Sequence, residues 1–182
     1  KSDTPGVIKI ENDKEKGTEQ LVKKLAKSKA KGKEKAQQKI YKKILRNHPR
    51  ASVAKEAAYN RGIYLFNKAK WKDSFQAFSI LKQYHPEFSQ LDEVIELQFQ
   101  CAVNLMNQEK KQFFGFKSSA TYNTESIPLF IAFTKLFPFN KNSPLALLYS
   151  AKVSQSDKEY EIAVISLKEL INNYPSSEQT AE

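Results

Sequence analysis

Four prolines cut this chain at intervals that restrict it to a narrow set of folds. Pro49, Pro86, Pro138 and Pro175 are separated by 37, 52 and 37 residues, and each follows an apolar run. Proline lacks the N–H that a helix needs and pushes the preceding residue out of the α region, so each should end a helix. Eight residues before each Pro stand Tyr41, Phe78, Phe130 and Leu167, and five before stand Ile44, Leu81, Phe133 and Leu170. Twelve before stand Gln37, Ser74, Ser126 and Ala163, mostly small. Residues three and four apart share a helix face, so the windows predict four amphipathic helices of one kind.

A second helix is expected upstream of each. The stretch from Ala57 to Phe66 aligns with Leu97 to Met106 and with a window that starts near Leu147, so that Gly62 and Ala102 coincide and Ala151 falls within one residue of them. Small residues there let two helices of a hairpin approach closely. Tyr59 and Phe99 stand three residues earlier and Tyr149 two residues before Ala151, an aromatic near the same place in each; Leu25 and Val22 are the weaker equivalents in the first unit. Helices are predicted near 17–30, 34–47, 52–68, 72–84, 90–108, 123–136, 143–155 and 158–173, after a mobile lead over 1–14. Asp73, Thr124 and Asp157 stand near helix starts, where a side-chain oxygen can cap free N–H groups. Five glycines are too few for an all-β chain rich in tight turns. One cysteine excludes an internal disulfide and a Cys-based zinc site. No apolar run approaches the ~20 residues that span a bilayer.

Helix, turn, helix and Pro, repeated four times, resembles the tetratricopeptide repeat family. Gly62, Ser74, Phe78, Leu81 and Pro86 carry the resemblance in the second unit, and Ala151, Ala163, Leu167, Leu170 and Pro175 in the fourth. The first helices lack the family's usual Trp, and the first unit has Leu25 and Gln37 at its small positions. The resemblance implies an all-α solenoid of about four hairpins, a single repeat domain over 15–182 with units near 15–50, 51–88, 89–141 and 142–178.

The third interval is longer by fifteen residues, most of them in the segment 108–123, QEKKQFFGFKSSATYN. Insertions in repeat proteins emerge as loops on one face, often a binding face. Phe113, Phe114 and Phe116 therefore either cap the hairpin's own core or offer an aromatic contact to a partner. This longer unit looks like that of the lipoproteins of the outer-membrane β-barrel assembly machinery, the BamD type. Those proteins resemble this chain in helix-ending runs such as Ile44 to Ala54, Phe78 to Ser89, Phe133 to Ala146 and Leu167 to Ser177. The resemblance implies a periplasmic scaffold at the outer membrane, held by a lipidated Cys upstream of Lys1. Its partners would be a barrel-assembly protein or unfolded outer-membrane proteins. It also implies a further repeat after Pro175. The coordinator of the Tol–Pal system has similar repeats and is the nearest competitor.

Catalysis has little to stand on. His48 and His85 hold equivalent positions before a Pro, which favours a structural role in the turn. Cys101, beside Ala102 in a helix, reads as a small buried hydrophobe rather than a reactive thiol. Acidic pairs such as Glu159 and Glu161 read as solvated faces. No phosphate-binding Gly-rich loop or metal-ligand spacing is present, so the expectation is a non-enzyme without cofactor or metal.

Binding is where the residues point. If first helices line an inner surface, Tyr59, Phe99 and Tyr149 form a ladder along it. Ile63 and Phe66 share the face of Tyr59, and Val103 and Met106 that of Phe99. Such a groove suits an extended or helical peptide, although aromatics at this spacing are commonly core. Residues 1–50 hold 16 Lys and Arg against 6 Asp and Glu, and residues 51–182 hold 14 of each, so the net charge of +10 belongs to the first quarter. Lys23, Lys24, Lys27 and Lys31 form its densest patch. It reads as a solvated face or as a surface for an anionic membrane or acidic protein. Nucleic acid is disfavoured, because Arg and aromatics are scarce there.

Overall fold

The computed structural model describes residues 17–108 and 122–181. Nine α-helices occur among them: α1 (Glu19–Ala30), α2 (Glu34–Asn47), α3 (Val53–Asn67), α4 (Trp71–Tyr84), α5 (Leu91–Met106), α6 (Ile127–Leu136), α7 (Ser143–Ser156), α8 (Tyr160–Asn173) and α9 (Glu178–Ala181). A single 3-10 turn, Thr124–Ser126, leads into α6. The chain forms two compact units, Lys1–Leu91 and Asp92–Glu182, each carrying two of the expected hairpins. The fold is all-α and built of tetratricopeptide-like hairpins, as the proline spacing requires.

The prolines act as predicted. Helices α2, α4, α6 and α8 all stop two residues before their Pro, at Asn47, Tyr84, Leu136 and Asn173. The intervening residue, His48, His85, Phe137 or Tyr174, has φ between −134 and −140° and ψ between 51 and 59°. That is the displacement out of the α region that a following Pro imposes. In each case its N–H still reaches the carbonyl four residues back. Its own carbonyl then accepts from the residue three further on, Ala51, Phe88, Asn140 or Ser177. One β-turn, with Pro in its second position, thus recurs four times, after α2, α4, α6 and α8.

Two of these turns are tied to the turn before. The His85 ring Nε2 lies 2.8 Å from the carbonyl oxygen of Pro49, which can only accept, so this nitrogen carries the proton. The Tyr174 hydroxyl donates to the carbonyl of Pro138 at 2.6 Å. Both links join residues 36 apart, one within each unit. The structural role expected for the residues before proline is therefore seen at His85, which is buried.

The turns inside the hairpins follow a second shared pattern. Gly32, Ala69 and Lys158 have φ of 59, 53 and 66°, and each closes its preceding helix with a pair of backbone hydrogen bonds. An L-residue in this left-handed region is strained by contact between its Cβ and backbone. Ala69→Gly is therefore expected to raise stability by about 0.5–1 kcal/mol, read as a higher urea midpoint at unchanged slope.

Within the first unit, Leu21, Leu25, Tyr41, Ile44, Ala54 and Ala57 form one buried cluster, flanked by Ile40, Leu45 and Val53. The α3–α4 hairpin closes on Gly62: a Cβ built there would stand 2.2 Å from the Phe78 ring. The Ser74 hydroxyl donates to the Gly62 carbonyl at 2.8 Å, so the small residue at the start of α4 also bonds across the crossing. In the second unit, Phe99, Phe130, Phe133 and Phe137 are buried, with Leu147, Leu148 and Leu170 in a neighbouring cluster.

Four expectations are corrected. Asn123 rather than Thr124 caps the helix start, its side chain accepting from the Glu125 N–H at 3.1 Å. Asp157 closes the end of α7, and Asp73 falls inside the first turn of α4. Leu167, at the core position held by Tyr41, Phe78 and Phe130, is 39% exposed where those are 0 to 2% exposed.

Candidate functional site

The residues assigned to a groove fall into two groups, because Tyr59, Ile63 and Phe66 belong to the first unit and Phe99, Val103, Met106 and Tyr149 to the second. Their environments differ. Phe99 and Met106 are buried, which moves both from an open face into the core. Phe99 lies 5.4 Å from Phe133 and 6.4 Å from Phe130, and its ring stacks at 14° on Tyr149. Val103 and Tyr149 are half-buried. Tyr59, Ile63 and Phe66 keep partial exposure along α3. Phe66 meets Trp71 edge-on at 5.1 Å, so it closes the hairpin's tip.

Tyr59 opens on a cleft of about 510 Å3. The start of α3 supplies Ser52, Val53, Lys55, Glu56 and Tyr59, and the turn after Pro86 supplies Glu87, Phe88, Ser89 and Gln90. Because the Pro86 turn has the repeat's fixed geometry, it carries Phe88 to 5.5 Å from the Tyr59 ring, tilted at 46°. Gln90 donates from Nε2 to the Tyr59 hydroxyl at 3.4 Å. Charge frames this apolar floor. Lys55 pairs with Glu87 at 3.3 Å, and Glu56 pairs with Lys29 of α1. The Glu87 carboxyl is held below the usual carboxylate range, chiefly by its own backbone N–H and further by Lys55. Val53, Tyr59 and Phe88 could receive an apolar side chain, while Ser52, Ser89 and Gln90 offer hydrogen bonds to a peptide backbone. The sequence pointed to Tyr59 but not to Phe88, whose only signal was its place two residues after a proline.

A smaller cleft of about 270 Å3 lies between α2, α3 and α4, with Lys42, Arg46 and Arg61 facing Asp73. Arg61 donates to the Gln38 carbonyl at 3.1 Å, and burial lowers its pKa from the ordinary value. The basic patch, Lys23, Lys24, Lys27 and Lys31, is exposed on α1 and at its end, while Leu21, Leu25 and Ser28 turn inward. Phe113, Phe114 and Phe116 lie outside the described residues, as does the lead over 1–14. Cys101 is buried and forms no disulfide. Among the described residues, no group of three or more His, Cys, Asp or Glu is arranged to hold a metal. No described helix is long and apolar enough to cross a membrane.

Residues 145–177, covering most of α7, all of α8 and the closing Pro175, match the tetratricopeptide repeat family. No curated protein and no solved structure matches the chain. The match and the recurring turn geometry together support a tetratricopeptide-repeat protein, a class whose hairpins generally serve as scaffolds for protein–protein interaction.

Proposed function

We propose that this chain is a non-enzymatic scaffold that binds a peptide segment of a protein partner in the Tyr59–Phe88 cleft. The observation that carries this reading is the aromatic floor held open between α3 and the Pro86 turn, with polar groups around it. The finer reading is a component of the outer-membrane β-barrel assembly machinery, placed on the periplasmic face of the outer membrane. Its partners are then a barrel-assembly protein or unfolded outer-membrane proteins. The long third unit and the four helix-ending runs through Pro49, Pro86, Pro138 and Pro175 support it.

The test uses two probes, the periplasmic domains of a barrel-assembly protein and a urea-unfolded outer-membrane barrel protein diluted into buffer. Tyr59→Ala is expected to weaken binding by tenfold or more, about 1.4 kcal/mol, with little change in melting temperature because the ring is only half-buried. Equal binding by wild type and variant would refute the cleft. Binding of neither probe, with capture of some other peptide, would refute the assembly-machinery reading and keep the cleft.

A further inference from the structure

Helix α8 carries an exposed apolar stripe, and its counterparts keep the two central positions of that stripe buried. Tyr160, Val164, Leu167 and Ile171 are 60, 49, 39 and 54% exposed. At 100° per residue they fall within about 60° of one another, on a single face next to the buried Ala163 and Leu170. Counted back from each proline, Val164 and Leu167 correspond to Gln38 and Tyr41, to Phe75 and Phe78, and to Ile127 and Phe130. All six counterparts are buried. Within each unit the second helix of one hairpin packs on the first helix of the next, α2 on α3 and α6 on α7. The four-residue α9 touches α7 and α8 but leaves the stripe exposed. The face has the chemistry of an interior and the exposure of a surface.

We propose that this stripe pairs with the same stripe of a second copy, across a two-fold axis that sets the two α8 helices antiparallel. The spacing is self-complementary: gaps of four, three and four residues read the same in both directions. About a centre between Ile165 and Ser166, Tyr160 faces the other copy's Ile171, and Val164 faces its Leu167. The charge on the flank obeys the same symmetry. Glu161 and Lys168, seven residues apart, lie on one side of the stripe. In an antiparallel two-fold pair a flank meets its own copy reversed, which brings Glu161 within about 3 Å along the axis of the other copy's Lys168. Opposite charges therefore meet twice. One helix face buries less than the roughly 800 Å2 per partner of a stable complex, so the dimer should dissociate in the range of about 10–100 μM.

Sedimentation equilibrium on the full 182-residue chain tests this. The apparent mass should rise from the monomer's 20.9 kDa towards twice that value as concentration passes through this range. Val164→Glu and Ile171→Glu should each weaken association at least tenfold without lowering the melting temperature, since both side chains are half in solvent. Glu161→Lys and Lys168→Glu should each weaken it several-fold, and the double exchange should restore it. Ile165→Glu is the control: that side chain is 57% exposed but about 140° round the helix, and its change should have no effect. A chain that stays at monomer mass overturns the proposal. So does failure of the double exchange to restore association, or an effect of Ile165→Glu as large as that of Val164→Glu. Monomer mass together with stripe binding by a peptide of residues 53–67 would assign the face to a first-helix-type partner, and would likewise overturn self-pairing.

Discussion

Replacing Phe78 with Ala is expected to cost about 3–5 kcal/mol of stability. The ring is fully buried and fills the space above Gly62, where no Cβ fits. Truncation removes the aromatic surface and leaves a cavity at the α3–α4 crossing, which the Ser74–Gly62 hydrogen bond holds too rigidly to collapse. The same contact makes a second variant informative. Gly62→Ala adds one methyl against the Phe78 ring and should cost about 1–3 kcal/mol by overpacking. Combined with Phe78→Leu, which withdraws the ring, the methyl should cost much less than it does alone. A double-mutant cycle by urea denaturation reads this coupling. Additivity within about 0.5 kcal/mol would show that the close approach does not set the crossing. Fluorescence and circular dichroism should be followed together, because a chain with two compact units need not melt in one step.

Phe99→Ala should be comparably severe, about 3–5 kcal/mol, and it separates core from groove. Phe99 is enclosed by Phe130, Phe133 and Tyr149 at 5.4 to 6.4 Å. Edge-to-face and stacked pairs of this kind add to the burial term. The loss should appear as unfolding of the second unit, and binding per folded molecule at the Tyr59 cleft should not change. A stable Phe99→Ala protein with weakened peptide binding would return Phe99 to the groove.

Tyr59 and Phe99 show how far the sequence could be read. Their alignment fixed the helix face each occupies, because a period of 3.6 and a closing Pro are local properties of the chain. It did not fix their burial, which depends on what stands opposite. Phe130, Phe133 and Tyr149 close over Phe99, whereas Tyr59 is met by Phe88 from a turn. Leu167 makes the same point in reverse, a core position in register and an exposed one in space. Helix ends before the prolines were legible to the residue, since Pro acts on its immediate neighbour. The left-handed turns at Ala69 and Lys158 were not, because neither side chain announces a positive φ as Gly32 does.

The links from His85 to Pro49 and from Tyr174 to Pro138 act as a ruler along the chain. Each measures 36 residues, so donor and acceptor meet only when the hairpin between them keeps its length. Lengthening is therefore tolerated unevenly. The fifteen additional residues of the third hairpin fall between Pro86 and Pro138, outside both measured spans. A drifting lineage could enlarge that hairpin freely while the second and fourth stay fixed in size. Novelty in such a protein should accumulate in the interval that neither of these two links measures.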